Sequence, residues 1–336
     1  YTSIQAAIDA ASSGHTIVIN RGTYNNTSLT VPAGKKLTLQ SINPADPAVV
    51  AATVINASGN NYGILCTGNA STFDGLTIKN AKTGIMFDSG FPAGTVRRCI
   101  IENNTSCGIR ADSANGVKIH NNTIGNNSCG IYSTHAQMEV KNNMIYSNDK
   151  GISIEAQSNA ALIRNNTIVG STTYGIGVSI DSNAPFISNC IIRNCGIALQ
   201  NCTASYSCYP GASGNGNIDA DPLFVDAVAG NFHLEFDSPC RNAGDAGCSY
   251  AGETDYDGQP RIEAGIPDLG ADELNAPLKS MRFNLTMNEA EYYPYICDST
   301  TMLQYLTPEV TWMTMAKNSY SAFETMVGDL SLLAPQ

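Results

Sequence analysis

Short runs of alternating apolar and polar residues recur along most of the chain, and Gly, Asn and Ser interrupt them. One set of runs contains Val96, Ile119, Val140, Ile163 and Ile187, and another begins at Ile85, Ile109, Ile131, Ile152, Ile176 and Ile197. Alternation with a period of two in segments rich in Val and Ile predicts short β-strands, and the interruptions predict tight turns.

The strand pattern itself repeats at a nearly constant interval. The landmark glycines Gly63, Gly84, Gly108, Gly130, Gly151, Gly175 and Gly196 are spaced 21, 24, 22, 21, 24 and 21 residues apart. Units of this size cannot bury a face alone, so they must stack. A leucine-rich repeat has a similar period, but its leucine pattern is missing, and a propeller blade needs about twice the length. The repeat predicts an all-β fold, a right-handed parallel β-helix with about 22 residues per coil.

Asparagines recur at the same positions of successive units. Stacking places equivalent residues roughly 4.8 Å apart, which predicts one column of Asn122, Asn143 and Asn166 and a second of Asn121, Asn142, Asn165 and Asn189. Asparagine tolerates left-handed corners, and its amide can hydrogen-bond along the stack. The alternative is N-glycosylation, for which Asn26, Asn56 and Asn284, outside this ladder, are the better candidates.

The N-terminal stretch "YTSIQAAIDAASSGHTIVINRGTY" predicts a short amphipathic helix followed by a strand over residues 16–20. Its apolar face contains Ile4, Ala7, Ile8 and Ala11. A β-helix needs its open end covered, because exposed strand edges and core side chains promote aggregation. The helix is therefore predicted to cap the first coil.

This opening, the repeat and the later stretches "DADPLFVDAVAGNFHLEFDSPCRNAGD" and "DYDGQPRIEAGIPDLGADE" together carry a family resemblance. The chain resembles secreted bacterial right-handed parallel β-helix repeat proteins with a pectate-lyase-like fold, over about residues 1–275. The two later stretches are similar to the closing segment of choice-of-anchor proteins. The resemblance implies export and surface association, but no single reaction.

Four segments follow from these patterns: a cap with the first coils at 1–60, regular coils at 61–214, a closing segment at 215–275 and a Met- and Tyr-rich module at 276–336. In the last segment, Thr307-Pro308-Glu309 predicts a helix start. Apolar residues follow at helical spacing: Val310, Met313, Ala316, Tyr320, Phe323, Val327 and Leu330. That face either packs on the chain's own β-helix or docks onto another subunit or an anchor protein.

The net charge of −11 is concentrated in the closing segment. Residues 215–275 contain 2 basic and 13 acidic side chains, whereas residues 1–214 contain 13 basic and 10 acidic ones. Neither nucleic acid nor an anionic membrane is an expected partner for so acidic a segment. The longest apolar runs are only a few residues, so no membrane insertion is expected.

Eleven cysteines, few lysines and many Asn-X-Ser/Thr triplets favour a secreted or cell-surface glycoprotein. Cys107 and Cys129 occupy equivalent positions of successive units, so stacking predicts a disulfide between them. Cys240 and Cys248 are candidates to close a short loop. An odd number leaves at least one thiol free or paired between chains.

Four aspartates of the closing segment, Asp255, Asp257, Asp268 and Asp272, are candidate Ca²⁺ ligands. The start of this stretch is similar to a calcium loop, but later ligands at the required spacing are absent. Aspartate and glycine also form ordinary turns, so calcium and a purely structural role remain alternatives.

A basic column is predicted beside the asparagine ladder, at Arg97, His120, Lys141 and Arg164, with Arg110 and Tyr132 expected nearby. A second column contains Asp88, Asp112 and Glu155. The columns form either a solvated face with weak ion pairs or a row of cations suited to an extended acidic polysaccharide.

Catalysis requires carboxylates clustered with a base, and no such cluster is evident, so no catalytic residue is assigned. We therefore predict a structural or adhesive surface β-helix with polysaccharide binding as a candidate activity. A polysaccharide lyase or glycoside hydrolase is the first alternative. A subunit of an extracellular assembly or filament, joined through residues 276–336, is the second.

Overall fold

A computed structural model describes residues 1–67, 70–88, 94–155, 161–179, 184–262 and 265–274, together with the backbone of three short strands beyond them. The chain divides into two units, Tyr1–Leu274 and Asn275–Gln336. The first unit contains the repeat and the closing segment. It is a stack of parallel strands, as the repeat predicts.

Each coil contributes one strand to each of three parallel, eight-stranded sheets. The first sheet consists, in stacking order, of Thr16–Ile19, Thr38–Ser41, Thr72–Asp74, Thr95–Arg97, Val117–His120, Met138–Lys141, Leu162–Arg164 and Phe186–Ser188. The second consists of Gly22–Asn25, Thr53–Asn56, Thr77–Lys79, Ile100–Glu102, Thr123–Gly125, Met144–Tyr146, Thr167–Val169 and Ile191–Arg193. The third consists of Leu29–Val31, Tyr62–Cys66, Thr83–Phe87, Cys107–Asp112, Cys129–Thr134, Lys150–Glu155, Tyr174–Val178 and Ile197–Gln200. The predicted parallel β-helix is confirmed.

The core of the stack is a set of isoleucine and valine columns that run along its axis. Ile101, Ile124, Ile145 and Ile168 are fully buried and pair in register. Each such side chain contributes roughly 1.5–3 kcal/mol by leaving water. The landmark glycines are needed because neighbouring coils approach closely there: a Cβ on Gly130 would lie 2.6 Å from the carbonyl oxygen of Gly151.

The predicted asparagine ladder is present at the corner between the first and second sheets. Asn122 Nδ2 donates to Asn143 Oδ1, and Asn143 Nδ2 donates to Asn166 Oδ1, both at 2.9 Å. Asn121, Asn142, Asn165 and Asn189 adopt positive φ of 53–56°. The side-chain amides of the ladder thus replace regular backbone pairing at the turn.

Two further asparagine rows were not predicted. One links Asn104, Asn127 and Asn148 at the corner between the second and third sheets. The other links Asn25, Asn56 and Asn80. Asn56 lies outside the predicted ladder but belongs to this separate row, because its side-chain nitrogen donates to Asn25 Oδ1 at 2.8 Å. Asn26 is exposed, and Asn284 falls outside the described residues; glycosylation remains a prediction.

The N-terminal cap is confirmed as the helix Ile4–Ala10, whose N-cap Ser3 accepts a hydrogen bond from the Ala6 amide. Ile4, Ala7 and Ile8 are buried against the stack. A second helix, Pro47–Ala52, was not predicted and joins the first and second sheets of one early coil. Neither helix of the described chain is long and apolar enough to cross a bilayer.

The helix predicted from Thr307-Pro308-Glu309 onward is wrong over residues 312–317. Trp312–Lys317 is a strand that pairs antiparallel with Met302–Leu306, which in turn pairs with Tyr295–Cys297. Pairing with the neighbouring strand provides hydrogen bonds to the backbone N–H and C=O groups, which in a helix would bond to each other within the segment. The later residues of the predicted helix fall outside the described part of the chain.

Among the described residues no disulfide joins Cys107 to Cys129 or Cys240 to Cys248, so neither predicted disulfide is present. Cys107 and Cys129 do pair in register on adjacent strands, as stacking predicts, without a disulfide between them. Cys240 packs with Cys208 in a small apolar cluster, whereas the Cys248 thiol donates to Asp245 Oδ2. The closing segment therefore does not form the predicted Cys240–Cys248 loop.

Candidate functional site

The basic column lies at the ends of four neighbouring strands of the first sheet. Arg97, His120, Lys141 and Arg164 are register partners in that order. Parallel strands repeat at about 4.8 Å, so the column follows the axis of the stack beside the asparagine corner.

The closing segment packs over part of this column. Asn142 Nδ2 donates to the carbonyl of Thr254 at 2.7 Å, and Asn121 Nδ2 donates to the carbonyl of Asp255. Both asparagines have left-handed backbone conformations at the corner, and their side chains point away from the core toward these two carbonyls. The column predicted as a second ladder row therefore anchors residues far along the chain.

Arg164 is covered by this contact. Its side chain is 7% exposed, its guanidinium carbon lies 4.6 Å from the Tyr250 ring centroid, and its Nη2 lies 2.6 Å from Glu253 Oε1. The prediction that Arg164 is an exposed ligand-binding cation is corrected: the arginine fixes the closing segment instead.

A groove of about 600 Å³ remains along the other members of the column. One wall is the sheet and its corner, another is the closing segment, and the helix Pro47–Ala52 with its preceding loop adds an apolar edge. The polar and aromatic lining comprises Arg97, Arg98, His120, Asn121, Thr123, Glu139, Lys141, Asn142, Glu253, Thr254, Tyr256 and Asp257. Three predicted residues, Arg97, His120 and Lys141, thus share one concave surface.

One end of the groove carries two guanidinium groups on a single buried carboxylate. Arg97 Nε donates to Asp74 Oδ2 at 2.8 Å, and Arg98 donates to both oxygens of Asp74 at 2.9 and 2.5 Å. Asp74 is 1% exposed, whereas the arginine side chains are 46% and 39% exposed. Two cations with one carboxylate leave this end with an excess positive charge.

The middle of the groove is electrically balanced. Glu139 Oε1 lies 3.2 Å from His120 Nε2 and 2.9 Å from Lys141 Nζ. The hydrogen bond from His120, followed by that from Lys141, lowers the pKa of Glu139 to about 2. Lys141 also contacts Glu253 at 2.9 Å and is only 12% exposed. These contacts leave the Arg97 end as the more attractive position for an anion.

Arg110 and Tyr132 belong to a different surface, which corrects their assignment to the same site. Both lie on the third sheet as register partners, and the Arg110 guanidinium stacks 4.8 Å from the Tyr132 ring centroid. Arg110 Nε donates to Asp112, and Tyr132 Oη donates to Glu155 at 2.9 Å. Burial and that hydrogen bond raise the pKa of Tyr132 to about 12.

The aspartates proposed for calcium separate into two kinds. Asp255 accepts the backbone amides of Gln259 and Glu273, and Asp268 accepts those of Asn242 and Leu274, at 2.6–3.1 Å. Both oxygens of each carboxylate therefore accept backbone hydrogen bonds that stabilise the loops of the closing segment. Asp257 and Asp272 instead lie close to His233. Calcium binding by the whole set remains a prediction.

Sequence reasoning missed several residues of the groove. Arg98 occupies the corner position that Asn121 fills in the next coil, and that departure from the repeat was the available signal. Glu139 is the residue two positions before Lys141 on the same strand, so alternation could have placed it there. Glu253 and Tyr256 carry no such signal, because they lie outside the repeat.

The chain is similar to one family model and, more distantly, to several solved structures. A model of the right-handed beta helix region matches residues 46–192 and 130–219. Among solved structures, the pectate lyase Pel9A is 15% identical over 81% of this chain and 91% of its own, with a TM-score of 0.43. An alginate lyase from Paenibacillus sp. str. FPU-7 is 15% identical over 61% and 90%, with a TM-score of 0.36.

A search of curated proteins found no match. The family model nevertheless spans residues 46–219, which is more than half of the chain. The stack of three parallel sheets is the architecture that this model describes. The chain belongs to the right-handed beta helix region family.

Proposed function

We propose that the groove binds an acidic polysaccharide, with a sugar carboxylate held at the Arg97 and Arg98 end. The observation that carries this proposal is the sharing of one buried carboxylate, Asp74, by two partly exposed guanidinium groups. Among the hydrogen bonds of the described residues, Arg97 uses only its Nε. Its two terminal nitrogens form the planar fork that suits a carboxylate.

The groove is also shaped for a chain rather than a single anion. It extends past His120 to Lys141, so it follows three adjacent strands. Tyr256, whose hydroxyl pairs with that of Thr123, provides an aromatic ring beside the charged groups, a mixture that suits sugars. The proposed role is a carbohydrate-binding β-helix; the predicted secretion, surface attachment and adhesive role belong to the same proposal.

Calorimetric titration with oligogalacturonate tests this function. The matched ligand control is the same oligomer with its carboxylates fully methyl-esterified, which differs only in charge. Arg97→Gln should weaken binding of the acid form about tenfold or more, because a charge-assisted pair is lost. Arg110→Gln, a partly exposed arginine of the third sheet, should bind like the parent.

Two outcomes would count against the proposal. Equal affinity for the acid and the esterified oligomer would show that no carboxylate is recognised. Unchanged affinity in Arg97→Gln, with loss in Arg110→Gln, would move the ligand to the third sheet. Circular dichroism of both variants verifies that they are folded.

A lyase acting in the same groove is the second candidate function, and one observation favours it. His120 is the register partner of Arg97 and lines the groove, so an imidazole, a common general acid or base, stands next to the proposed carboxylate position. Formation of an unsaturated uronate, measured by its ultraviolet absorbance, would establish the activity. Loss of turnover in His120→Gln with retained binding would assign the histidine to the chemistry.

A further inference from the structure

A second cluster, separate from the arginine end of the groove, contains His233, Asp257 and Asp272. One ligand atom from each residue lies within 4.8 Å of the other two. His233 lies on the strand Asn231–Leu234, which pairs antiparallel with Phe224–Asp226. Asp272 is tied to the same strand, because its Oδ2 accepts the Leu234 amide at 3.2 Å.

The hydrogen bonds of Asn231 determine which ring nitrogen of His233 carries the proton. Asn231 Oδ1 accepts the backbone N–H of His233 at 3.2 Å, which identifies this atom as the oxygen. The same oxygen lies 2.6 Å from His233 Nδ1, so Nδ1 carries the proton and donates it. His233 Nε2 is therefore the nitrogen that faces Asp257 Oδ2, at 3.0 Å.

When the ring is neutral, Nε2 carries a lone pair and can only accept a hydrogen bond. The carboxylate oxygen that it faces, Asp257 Oδ2, can also only accept one. Two acceptors at 3.0 Å need a cation between or beside them, and either a proton or a metal ion can supply it. A ring N–H donated to a neighbouring oxygen is also the usual arrangement of a metal-bound histidine, since it fixes the tautomer and the ring orientation.

Asp272 supplies the independent observation. Its side chain is 4% exposed, and among the ion pairs of the described residues none involves it. The buried Arg261 instead contacts Glu273 at 3.5 Å and donates to backbone carbonyls. Asp272 is thus a buried carboxylate that faces a histidine but forms no direct ion pair, and coordination of a cation offsets the cost of its burial.

We propose that His233 Nε2 and the carboxylates of Asp257 and Asp272 bind one divalent first-row transition ion. Nitrogen and oxygen ligands of such ions lie at about 2.0–2.2 Å, so their mutual separations are compatible with the observed cluster after small side-chain movements. Asp257 and His233 are 38% and 36% exposed, which gives the ion a path from solvent and leaves positions for water.

The imidazole distinguishes this site from the calcium set predicted from the aspartates alone. Ca²⁺ takes about six to eight oxygen ligands, whereas an imidazole with carboxylates suits Zn²⁺ or Mn²⁺. Asp255 and Asp268 are excluded from the proposed site because both oxygens of each already accept backbone amides.

Calorimetric titration of the full chain with Mn²⁺ tests the site, because free thiols compete poorly for this ion. A parallel titration uses Zn²⁺. The parent should bind one ion per chain, and His233→Gln and Asp257→Asn should each weaken binding about tenfold or more. Asp237→Asn, an exposed aspartate of the same segment, should leave the affinity unchanged.

The proposal fails if neither ion gives saturable binding to the folded parent. It also fails if His233→Gln binds either ion as tightly as the parent, or if only Ca²⁺ binds and the substitution has no effect. Asp257→Asn changes a partly exposed side chain, so this variant should remain folded. Its circular dichroism spectrum verifies the fold, so a loss of ion binding in this variant can be assigned to the missing ligand.

Discussion

The carboxylate of Glu253 lies 2.6 Å from the guanidinium of Arg164, although the two residues are 89 positions apart in the chain. The same carboxylate oxygen lies 2.9 Å from Lys141 Nζ. This contact joins the acidic closing segment to the basic column of the coils. It also divides the column into a covered end and the open end that forms the groove.

Replacing Glu253 by glutamine should destabilise the protein by about 3 kcal/mol, because two largely buried cations lose their shared counter-charge. Urea unfolding followed by circular dichroism measures the change. Asp219→Asn is the matched control, since its pair with Arg193 is 48% exposed on the acidic side and is screened by solvent, so its loss should have little effect on stability. Equal losses in the two variants would contradict the special role of Glu253.

Asn143→Ala should also cost about 3 kcal/mol, because it leaves several buried partners unsatisfied. The Asn143 amide donates to the carbonyls of Ile119 and Lys141 as well as to Asn166. The free energy of unfolding in urea measures the effect, with exposed Asn61→Ala as the control. A loss no larger than that of the control would mean that the ladder contributes little.

Gly130→Ala should destabilise the stack by roughly 1–3 kcal/mol or more through overpacking. The added Cβ would meet a backbone carbonyl at 2.6 Å, and a backbone cannot rotate away as a side chain can. Ser128→Ala, two residues earlier and exposed, is the control. Thermal unfolding measures both; a midpoint in Gly130→Ala equal to the parent's would show that adjacent coils can separate freely.

The stabilisation due to Glu139 should depend on pH. Its pKa falls from 4.5 to about 2 in the folded protein, chiefly through the His120 hydrogen bond and then through Lys141. A carboxyl whose pKa is lowered by folding stabilises the folded protein at pH values above its pKa in the unfolded chain. This contribution is lost as the pH falls to its pKa in the folded protein. The stability difference between the parent and Glu139→Gln should therefore shrink as the pH falls from about 5 towards 2.

Urea unfolding of both proteins across this pH range provides the measurement. Glu235→Gln, at an exposed position of the closing segment, controls for the general effect of removing one acid. A difference for Glu139→Gln that does not vary with pH would mean that the carboxylate does not interact with His120 and Lys141 as described.

Two buried thiols should resist alkylation of the native protein. Burial raises the pKa of Cys99 to about 12 and that of Cys190 to about 11, so neither forms appreciable thiolate at about pH 8. Mass spectrometry after iodoacetamide treatment should find both unmodified, with label on the partly exposed Cys248. Rapid labelling of Cys99 without unfolding agent would show that the core opens.

The fold was predictable because each coil repeats the same local requirements. An apolar residue at Ile124 or Ile145 must point inward, Gly130 must allow close approach, and Asn143 must turn a corner and bond to the next coil. Each requirement acts at a constant separation along the chain, so the sequence shows it as a period. The same logic placed Arg97, His120 and Lys141 in one column.

Predictions failed where a residue's environment comes from outside the repeat. Arg110 follows Arg97 closely in the chain but lies on the third sheet, whereas Arg97 lies on the first. The sequence separation of the two residues does not show that the chain turns onto another sheet between them. Cys240 meets Cys208 rather than Cys248 because the closing segment folds back on the last coils. The predicted C-terminal helix had the right apolar spacing, but residues 312–317 pair with a neighbouring strand.

By itself, the sequence determined the stacked architecture, the ladder and the row of basic side chains, because stacking converts a sequence period directly into spatial neighbours. Only the tertiary structure decided what that row can do. Glu253 neutralises Arg164, and Asp74 gathers Arg97 and Arg98 at the open end of the groove. The packing of the closing segment against the coils brings these charges together, and packing between segments without a common period leaves no pattern along the chain.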